Sequence, residues 1–231
     1  MLFDSYCGVI VLIRFRAILF DLDGTLLDTI GDLAESMNAV LRRLGFPGHG
    51  RKAYKQFVGD GMDMLVRRAL PEDRRDREMV DGCLVAMRAE YGSRWRKDTR
   101  PYDGIPELLD ALRDLQLRMA IFSNKADDFT REMVRILLPR WAFDAVAGAR
   151  PDVPKKPDPT AALGIARGLG IPTGQILYLG DSGTDMQTAR AAGMFPAGAL
   201  WGFRTAAELR ANGARVLVKR PMELLKLWAS L

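Results

Sequence analysis

Two aspartates that follow an apolar run near the start of the chain constrain its fold more than any other feature. The run ends at residues 18–20 (Ile-Leu-Phe) and leads directly into residues 21–25 (Asp-Leu-Asp-Gly-Thr). Strand-forming residues that give way to Asp and Gly predict a buried strand opening into a loop. Since neighbouring residues of a strand point to opposite sides, Asp21 and Asp23 are expected to share a side. At the carboxyl end of a parallel strand, both would face the crevice where open α/β sheets bind ligands.

This pair of carboxylates permits a specific chemistry. Two carboxylates attract a hard cation such as Mg²⁺, which also binds phosphate oxygens. With the cation withdrawing charge, Asp21 would attack phosphorus and form an aspartyl phosphate. Asp23 would then exchange protons with the leaving group and with water. The segment alone also allows another interpretation, in which the aspartates only cap a turn after the strand.

Composition places the chain among soluble globular proteins. It has 231 residues, of which 48% are hydrophobic and 27% charged, enough for one large or two smaller domains. With only Cys7 and Cys83, no disulfide framework is indicated, which favours a cytoplasmic location. The net charge is +5, but the basic residues are scattered, so nucleic-acid binding is not expected. His49 is expected to be a solvated loop residue, which argues against histidine-based catalysis.

The order of patterns predicts two domains preceded by a tail. Residues 1–13 are interpreted as an N-terminal tail, or as an extension of the first strand, and their apolar run is too short to span a membrane. Helical periodicity without any strand pattern then extends over residues 28–98. Strand and helix patterns alternate after residue 99, which predicts a doubly wound parallel α/β sheet. We therefore expect a core domain of residues 14–27 and 99–231, with residues 28–98 inserted as an all-helical cap.

Polar residues after the second predicted strand, residues 118–122, fit a phosphate site. The Ser123 hydroxyl and the backbone N–H groups of Ser123 and Asn124 could donate to phosphate oxygens. An ordinary helix N-cap is the alternative. Lys156 could neutralise charge between the nucleophile and the phosphoryl group. Because Lys155 precedes it, the sequence leaves open which lysine points inward, or whether both lie in a solvated loop.

Acidic residues after a third apolar strand, residues 176–179, extend the same pattern. Asp181 ends the strand, and Asp185 lies one helical turn further on. Both could complete a Mg²⁺ site with Asp21 and Asp23. Capping of the following helix by Asp181 or Ser182 is the alternative.

Together these segments resemble the haloacid dehalogenase superfamily of phosphohydrolases, with residues 28–98 similar to its mobile cap. Further segments resemble its phosphoglycolate phosphatase branch: residues 58–61 (Val-Gly-Asp-Gly) with Leu65, residues 100–104 (Arg-Pro-Tyr-Asp-Gly) and residues 201–204 (Trp-Gly-Phe-Arg). The four segments that resemble the motifs of the superfamily are Asp21-Leu22-Asp23-Gly24-Thr25, Ser123-Asn124, Lys156-Pro157 and Gly180-Asp181-Ser182-Gly183-Thr184-Asp185.

The resemblance implies a role for each matched residue. Asp21 would be the nucleophile and a metal ligand, and Asp23 the general acid and base that also offers its backbone carbonyl to Mg²⁺. Asp181 would be the other protein ligand, with Asp185 nearby in a supporting role. The transferring phosphoryl group would be held by Ser123, Asn124 and Lys156.

The resemblance implies a Mg²⁺-dependent phosphatase acting on a small phosphate ester, with 2-phosphoglycolate as the leading substrate. The loop at Gly61 is expected to lie near the substrate. A sugar phosphomutase of the β-phosphoglucomutase kind and a pyrophosphatase of the same superfamily are alternatives. A receiver protein that stores phosphate on an aspartate fits less well, because Asp23 would speed loss of the phosphate. A monomer or homodimer without a nucleic-acid or membrane partner is expected.

Overall fold

A six-stranded parallel sheet forms the centre of the computed structural model, which describes residues 15–229. Its order is β5-β4-β1-β6-β7-β8, so the chain winds outward from β1 in both directions. The prediction of a doubly wound α/β fold is therefore confirmed. In chain order the strands are β1 (Ala17–Phe20), β2 (Leu27–Asp28), β3 (Arg100–Pro101), β4 (Arg118–Ala126), β5 (Ala145–Ala149), β6 (Ile176–Gly180), β7 (Phe195–Ala199) and β8 (Val216–Val218).

Helices cover the sheet and fill the segment between β2 and β3. Single 3₁₀ turns occur at Glu72–Arg74, Thr173–Gln175 and Pro221–Leu225. In chain order the helices are α1 (Ile30–Arg43), α2 (Arg51–Phe57), α3 (Met62–Ala69), α4 (Arg77–Arg94), α5 (Ile105–Asp114), α6 (Asp127–Leu137), α7 (Thr160–Leu169), α8 (Gly183–Ala191), α9 (Ala206–Ala211) and α10 (Lys226–Ala229).

Strand β1 lies inside the sheet, between β4 and β6, and side chains on both of its faces are buried. All four of its residues are buried, as expected for a parallel strand with a continuous apolar sequence. Ile18 and Phe20 enter the larger of two hydrophobic clusters, whereas Ala17 and Leu19 enter the smaller one on the opposite face. This alternation keeps β1 rigid and fixes the direction in which Asp21 leaves it.

The helical insert leaves and rejoins the sheet domain through a short antiparallel ribbon. Leu27 pairs with Pro101, and Asp28 pairs with Arg100. Between these points lie α1 to α4 and no strand, in agreement with the helical periodicity of residues 28–98. The ribbon itself was not expected, because strands of two residues carry no periodic signal. The exact division of the chain into two domains remains a prediction.

The structure corrects two local expectations. Strand β4 runs to Ala126 rather than ending at Phe122, because it pairs again with β5 after a register shift between those two residues. The ring of His49 is half-buried rather than solvated, since Nε2 lies 2.8 Å from the carbonyl oxygen of Ala69.

The N-terminal tail and the possibility of a membrane-spanning helix were also considered from the sequence. The proposed tail, residues 1–13, lies outside the described residues. Within residues 15–229, none of the helices has the length and apolar character needed to cross a bilayer.

Candidate active site

Three adjacent strands bring the predicted site residues to one edge of the sheet. Phe20 pairs with Ile121 of β4 on one side and with Leu179 of β6 on the other. The residues that follow these positions therefore emerge at the same level. Asp21 is fixed there by its backbone N–H, which donates to the Leu179 carbonyl at 2.9 Å. Parallel pairing thus explains why residues distant in sequence meet.

Three carboxylates converge at this edge. Asp21, Asp181 and Asp185 are all buried, and each offers an oxygen atom within 4.8 Å of those of the other two. Burial, and then the charge of Asp185, raise the pKa of Asp21 to about 7 although Lys156 opposes the shift. Burial, followed by the charges of Asp21 and Asp185, raises the pKa of Asp181 well above its usual range. Such a cluster is electrostatically unfavourable unless a cation neutralises it.

Lys156 supplies part of that positive charge. Its Nζ atom donates to Asp21 Oδ1 at 2.8 Å and to Asp185 Oδ1 at 2.7 Å. Burial alone would lower the pKa of Lys156, but Asp185 and Asp21 raise it well above its usual range. Lys155 instead contacts Asp63 at 2.6 Å and is 39% exposed. The structure thus answers which lysine of the doublet points inward.

Asp185 has both of its oxygen atoms engaged. Ser182 is the N-cap of α8, and Asp185 Oδ2 accepts its backbone N–H at 3.1 Å and its hydroxyl at 2.6 Å. The other oxygen, Oδ1, accepts from Lys156 and from the Tyr178 hydroxyl, the latter at 3.4 Å. The Asp185 carboxylate therefore both caps the N-terminus of α8 and orients the Lys156 ammonium group.

Asp181 lies in a tight backbone cradle. Gly24 has φ +85°, and a Cβ at Gly24 or at Gly202 would overlap the Asp181 carboxylate. The backbone N–H of Phe203 donates to Asp181 Oδ2 at 2.6 Å. The loop after β7 therefore helps to shape the site. Sequence reasoning marked this loop only as a branch resemblance, although it follows a parallel strand that ends at the same edge.

Asp23 lies apart from the three clustered acids but lines the same cavity as Asp21. Its Oδ2 atom accepts from Lys125 Nζ at 2.9 Å, while its Oδ1 atom is buried without a hydrogen-bond partner. Lys125 also lies 4.7 Å from the ring centroid of Tyr91 in α4. Burial alone would lower the pKa of Lys125, but Asp23 and Tyr91 raise it above its usual range. Neither Lys125 nor Tyr91 was expected at the site.

Ser123 and Asn124 lie in the irregular part of β4 and both line the cavity. The Ser123 hydroxyl accepts the Lys125 backbone N–H at 3.2 Å. The Asn124 amide nitrogen donates to the carbonyl oxygens of Gly59 at 3.0 Å and Lys156 at 3.2 Å, and its oxygen accepts the Lys156 N–H at 2.8 Å. Neither residue is a helix N-cap, because Ala126 occupies that position before α6.

The helical insert closes the other side of the cavity through the loop at residues 58–61. Gly61 has φ +97°, and a Cβ there would lie 2.7 Å from Lys155 Nζ. In the same loop, Asp60 Oδ1 accepts the Thr184 hydroxyl at 3.4 Å. The cavity has a volume of about 50 Å³ open to the centres of water molecules. It therefore has room for a few water molecules.

Comparison with known proteins is consistent with this geometry. The model of the haloacid dehalogenase-like hydrolase family matches residues 18–199. The phosphoglycolate phosphatase of Pseudomonas syringae pv. tomato is 36% identical over 185 residues, which is 78% of this chain and 67% of that protein. The phosphoglycolate phosphatase of Aquifex aeolicus is 32% identical over 212 residues, or 92% and 96% of the two chains.

A solved structure is also similar to this chain. A protein of Lactobacillus delbrueckii subsp. bulgaricus, described as a candidate phosphoglycolate phosphatase, superposes with a TM-score of 0.85 and 29% identity, covering 91% of this chain and 97% of the other. The fold and the site define a doubly wound α/β protein with a buried acidic cluster at the carboxyl edge of its sheet, the place where such sheets commonly bind ligands. The chain belongs to the haloacid dehalogenase-like hydrolase family. The family, fold and phosphatase class expected from the sequence are thereby confirmed.

Proposed function

We propose that the protein is a Mg²⁺-dependent phosphatase that hydrolyses 2-phosphoglycolate through an aspartyl phosphate on Asp21. The observation that carries the proposal is the buried acidic cluster beside Lys156 at the edge of the cavity. The names of the relatives support the substrate, and the small cavity fits an ester of few atoms. A cytoplasmic location is part of the proposal and rests on the cysteine content.

The residues present fit a divalent cation. Asp21, Asp181 and Asp185 bring three carboxylates together, and within residues 15–229 a single lysine, Lys156, forms ion pairs with Asp21 and Asp185. Asp21 and Asp181 would hold the ion, with the backbone carbonyl of Asp23, while Asp185 would support the site through its ion pair with Lys156 and its hydrogen bonds to Ser182. Hard oxygen ligands of this kind suit Mg²⁺. When bound, the ion would neutralise charge on the cluster and on the phosphate oxygens.

In the first half of the reaction, a carboxylate oxygen of Asp21 attacks phosphorus and the bond from phosphorus to the ester oxygen breaks. Asp23 donates a proton to that oxygen, so the alcohol leaves neutral. The unpaired Asp23 Oδ1 atom is the one free for this transfer, since Lys125 holds Oδ2. Lys156, beside the Asp21 carboxylate, would stabilise the negative charge on the transferring group.

In the second half, Asp23 accepts a proton from a water molecule, which attacks phosphorus and releases Asp21 and inorganic phosphate. The insert would keep other water away from the aspartyl phosphate until the alcohol has left. Ser123 and the backbone N–H groups beside it would hold the phosphate oxygens. Asn124 would act indirectly, because its side chain binds the backbone of Gly59 and Lys156.

The proposal is tested by measuring phosphate release from a panel of esters with Mg²⁺ and with a chelator. The panel contains 2-phosphoglycolate, sugar phosphates, nucleotides and pyrophosphate. We expect release from 2-phosphoglycolate to need Mg²⁺ and to fall by at least about 10⁴-fold in Asp21→Asn. Asp152→Asn, at an exposed aspartate in a loop, is the matched control and should retain activity.

Other results would contradict the proposal in distinct ways. Release that persists in Asp21→Asn would exclude this nucleophile. A preference for pyrophosphate would favour the pyrophosphatase alternative. Dependence on a bisphosphate activator, with transfer to a sugar hydroxyl in place of release, would favour the phosphomutase.

A further inference from the structure

We propose that Arg204 makes the enzyme select esters that carry a carboxylate in addition to the phosphate group. This inference rests on the proposed function and concerns substrate choice at the same site. Arg204 follows β7 and lines the cavity together with Val58, Gly59 and Gly61 of the helical insert. It therefore lies where the sheet domain and the insert meet at the cavity.

The guanidinium of Arg204 has one nitrogen atom without a partner. The side chain is 10% exposed, and Nε lies 3.3 Å from Glu208 Oε1. Nη2 donates to the Val58 carbonyl oxygen at 2.7 Å and to that of Gln56 at 3.5 Å. Nη1 is buried and has no acceptor. Buried donors without acceptors are rare and unfavourable, so a ligand atom is the natural partner for this one.

The other basic residue that lines the cavity is already committed. Lys125 donates to Asp23 and lies beneath the Tyr91 ring. Lys156, next to the cavity, donates to Asp21 and Asp185. Of the two basic side chains that the structure shows on the cavity wall, Arg204 is thus the one with a donor nitrogen still unpaired.

A carboxylate suits this position. Nη1 carries two N–H groups, and the planar guanidinium matches a carboxylate better than a lysine ammonium does. The nearby wall contributed by Leu33, Met62 and Leu65 is apolar. A carboxylate buried there without a cation would lose its hydration and gain nothing in return. Arg204 would therefore favour the carboxylate-bearing ester over an ester of equal size that lacks the charge.

The test compares two esters that differ only in this group. Ethyl phosphate has a methyl group in the place of the carboxylate of 2-phosphoglycolate. We expect Arg204→Gln to lower kcat/KM for 2-phosphoglycolate by about 100-fold, the scale of one hydrogen bond to a charged group, and that for ethyl phosphate by less than about 3-fold. Arg204→Lys should restore part of the preference, because it keeps the charge but not the fork.

A control separates recognition from support of the loop. Arg68 also holds this part of the insert, through the Phe57 carbonyl at 3.0 Å and an ion pair with Asp60, but does not line the cavity. Arg68→Gln should affect both esters equally. Equal losses in Arg204→Gln, or a wild type that does not discriminate, would overturn the inference and leave the phosphatase intact. Wild type that releases no phosphate from any ester would overturn the proposed function, and the inference with it.

Discussion

At the carboxyl edge of the sheet, Asp21, Asp181 and Asp185 are buried together, and Lys156 donates hydrogen bonds to two of them. The ion pairs that join the helical insert to the sheet domain are instead exposed to solvent. Arg96 contacts Glu132 at 2.7 Å, and each partner of that pair is more than one third exposed. The pair of Arg88 with Asp128 is also exposed, as is that of Lys155 with Asp63.

The difference separates a fixed part of the molecule from an adjustable one. Buried acids that are shielded from water repel one another until they are protonated or a cation binds. Exposed ion pairs contribute only about 0.2–1 kcal/mol each, and water replaces them at little cost. We expect the edge to carry the chemistry and the insert to close over it with weak, reversible contacts. Four experiments test this contrast.

The largest effect is expected from removing the buried positive charge of Lys156. Lys156→Met should lower kcat/KM by about 10²–10³-fold, because a preorganised charge beside Asp21 is lost. Lys155→Met, in the neighbouring exposed residue, should change it by less than about 3-fold. Assays of both variants, with thermal unfolding to verify folding, distinguish the two lysines. Similar losses in both would show that the buried edge has no special role.

The pH dependence of stability should reveal the electrostatic repulsion among the buried acids at the carboxyl edge of the sheet. The folded pKa of Asp21 is about 7, above its unfolded value, so between about pH 4 and 7 the folded protein binds more protons. Without metal, stability should therefore fall as pH rises from about 5 to 7, by up to about 1.4 kcal/mol per pH unit for each such group. Thermal unfolding with a chelator measures this slope.

The same experiment contains its own controls. Mg²⁺ should remove most of the slope by stabilising the charged carboxylates, and Asp21→Asn should reduce it in the absence of metal. A flat profile for metal-free wild type would contradict the picture of an unrelieved acidic cluster.

Closure of the insert should depend on the shape of its loop more than on its ion pairs. Gly61→Val introduces a side chain at φ +97°, where it would meet Lys155 and Asp63. We expect a roughly 10-fold loss in kcat/KM, mostly through KM, because about 1–3 kcal/mol of strain opposes the closed loop. Gly82→Val, at an exposed position of α4 where a Cβ meets nothing within 4 Å, serves as the control. Unchanged kinetics in Gly61→Val would remove this loop from the substrate site.

The smallest effect is expected at the exposed contacts. Arg88→Gln removes the ion pair with Asp128 and should change kcat/KM by less than about 3-fold and the free energy of unfolding by less than about 1 kcal/mol. Raising the ionic strength should mimic it in the wild type. A loss of 10-fold or more would mean that single surface pairs control closure.

The sequence predicted those parts of the molecule that follow from strand order. Asp21 and Asp181 could be placed together because each ends an apolar strand, and parallel strands end at one edge. Contacts that depend on side-chain packing between distant segments gave no such signal. Lys125 beneath Tyr91, Arg204 against Val58 and the half-buried ring of His49 are of this kind. The lysine doublet at 155 and 156 shows the same limit, because neighbours in a loop look alike until the fold buries one of them.

The ribbon of β2 and β3 has a consequence for how such proteins diversify. Because Leu27 and Pro101 are paired neighbours, the chain enters and leaves the insert at almost the same point in space. Segments with adjacent ends can be exchanged without stretching the chain on either side. The predicted insert of 71 residues, 28–98, would then behave as a module. Another module spliced at the same two peptide bonds would give the unchanged catalytic edge a different substrate repertoire.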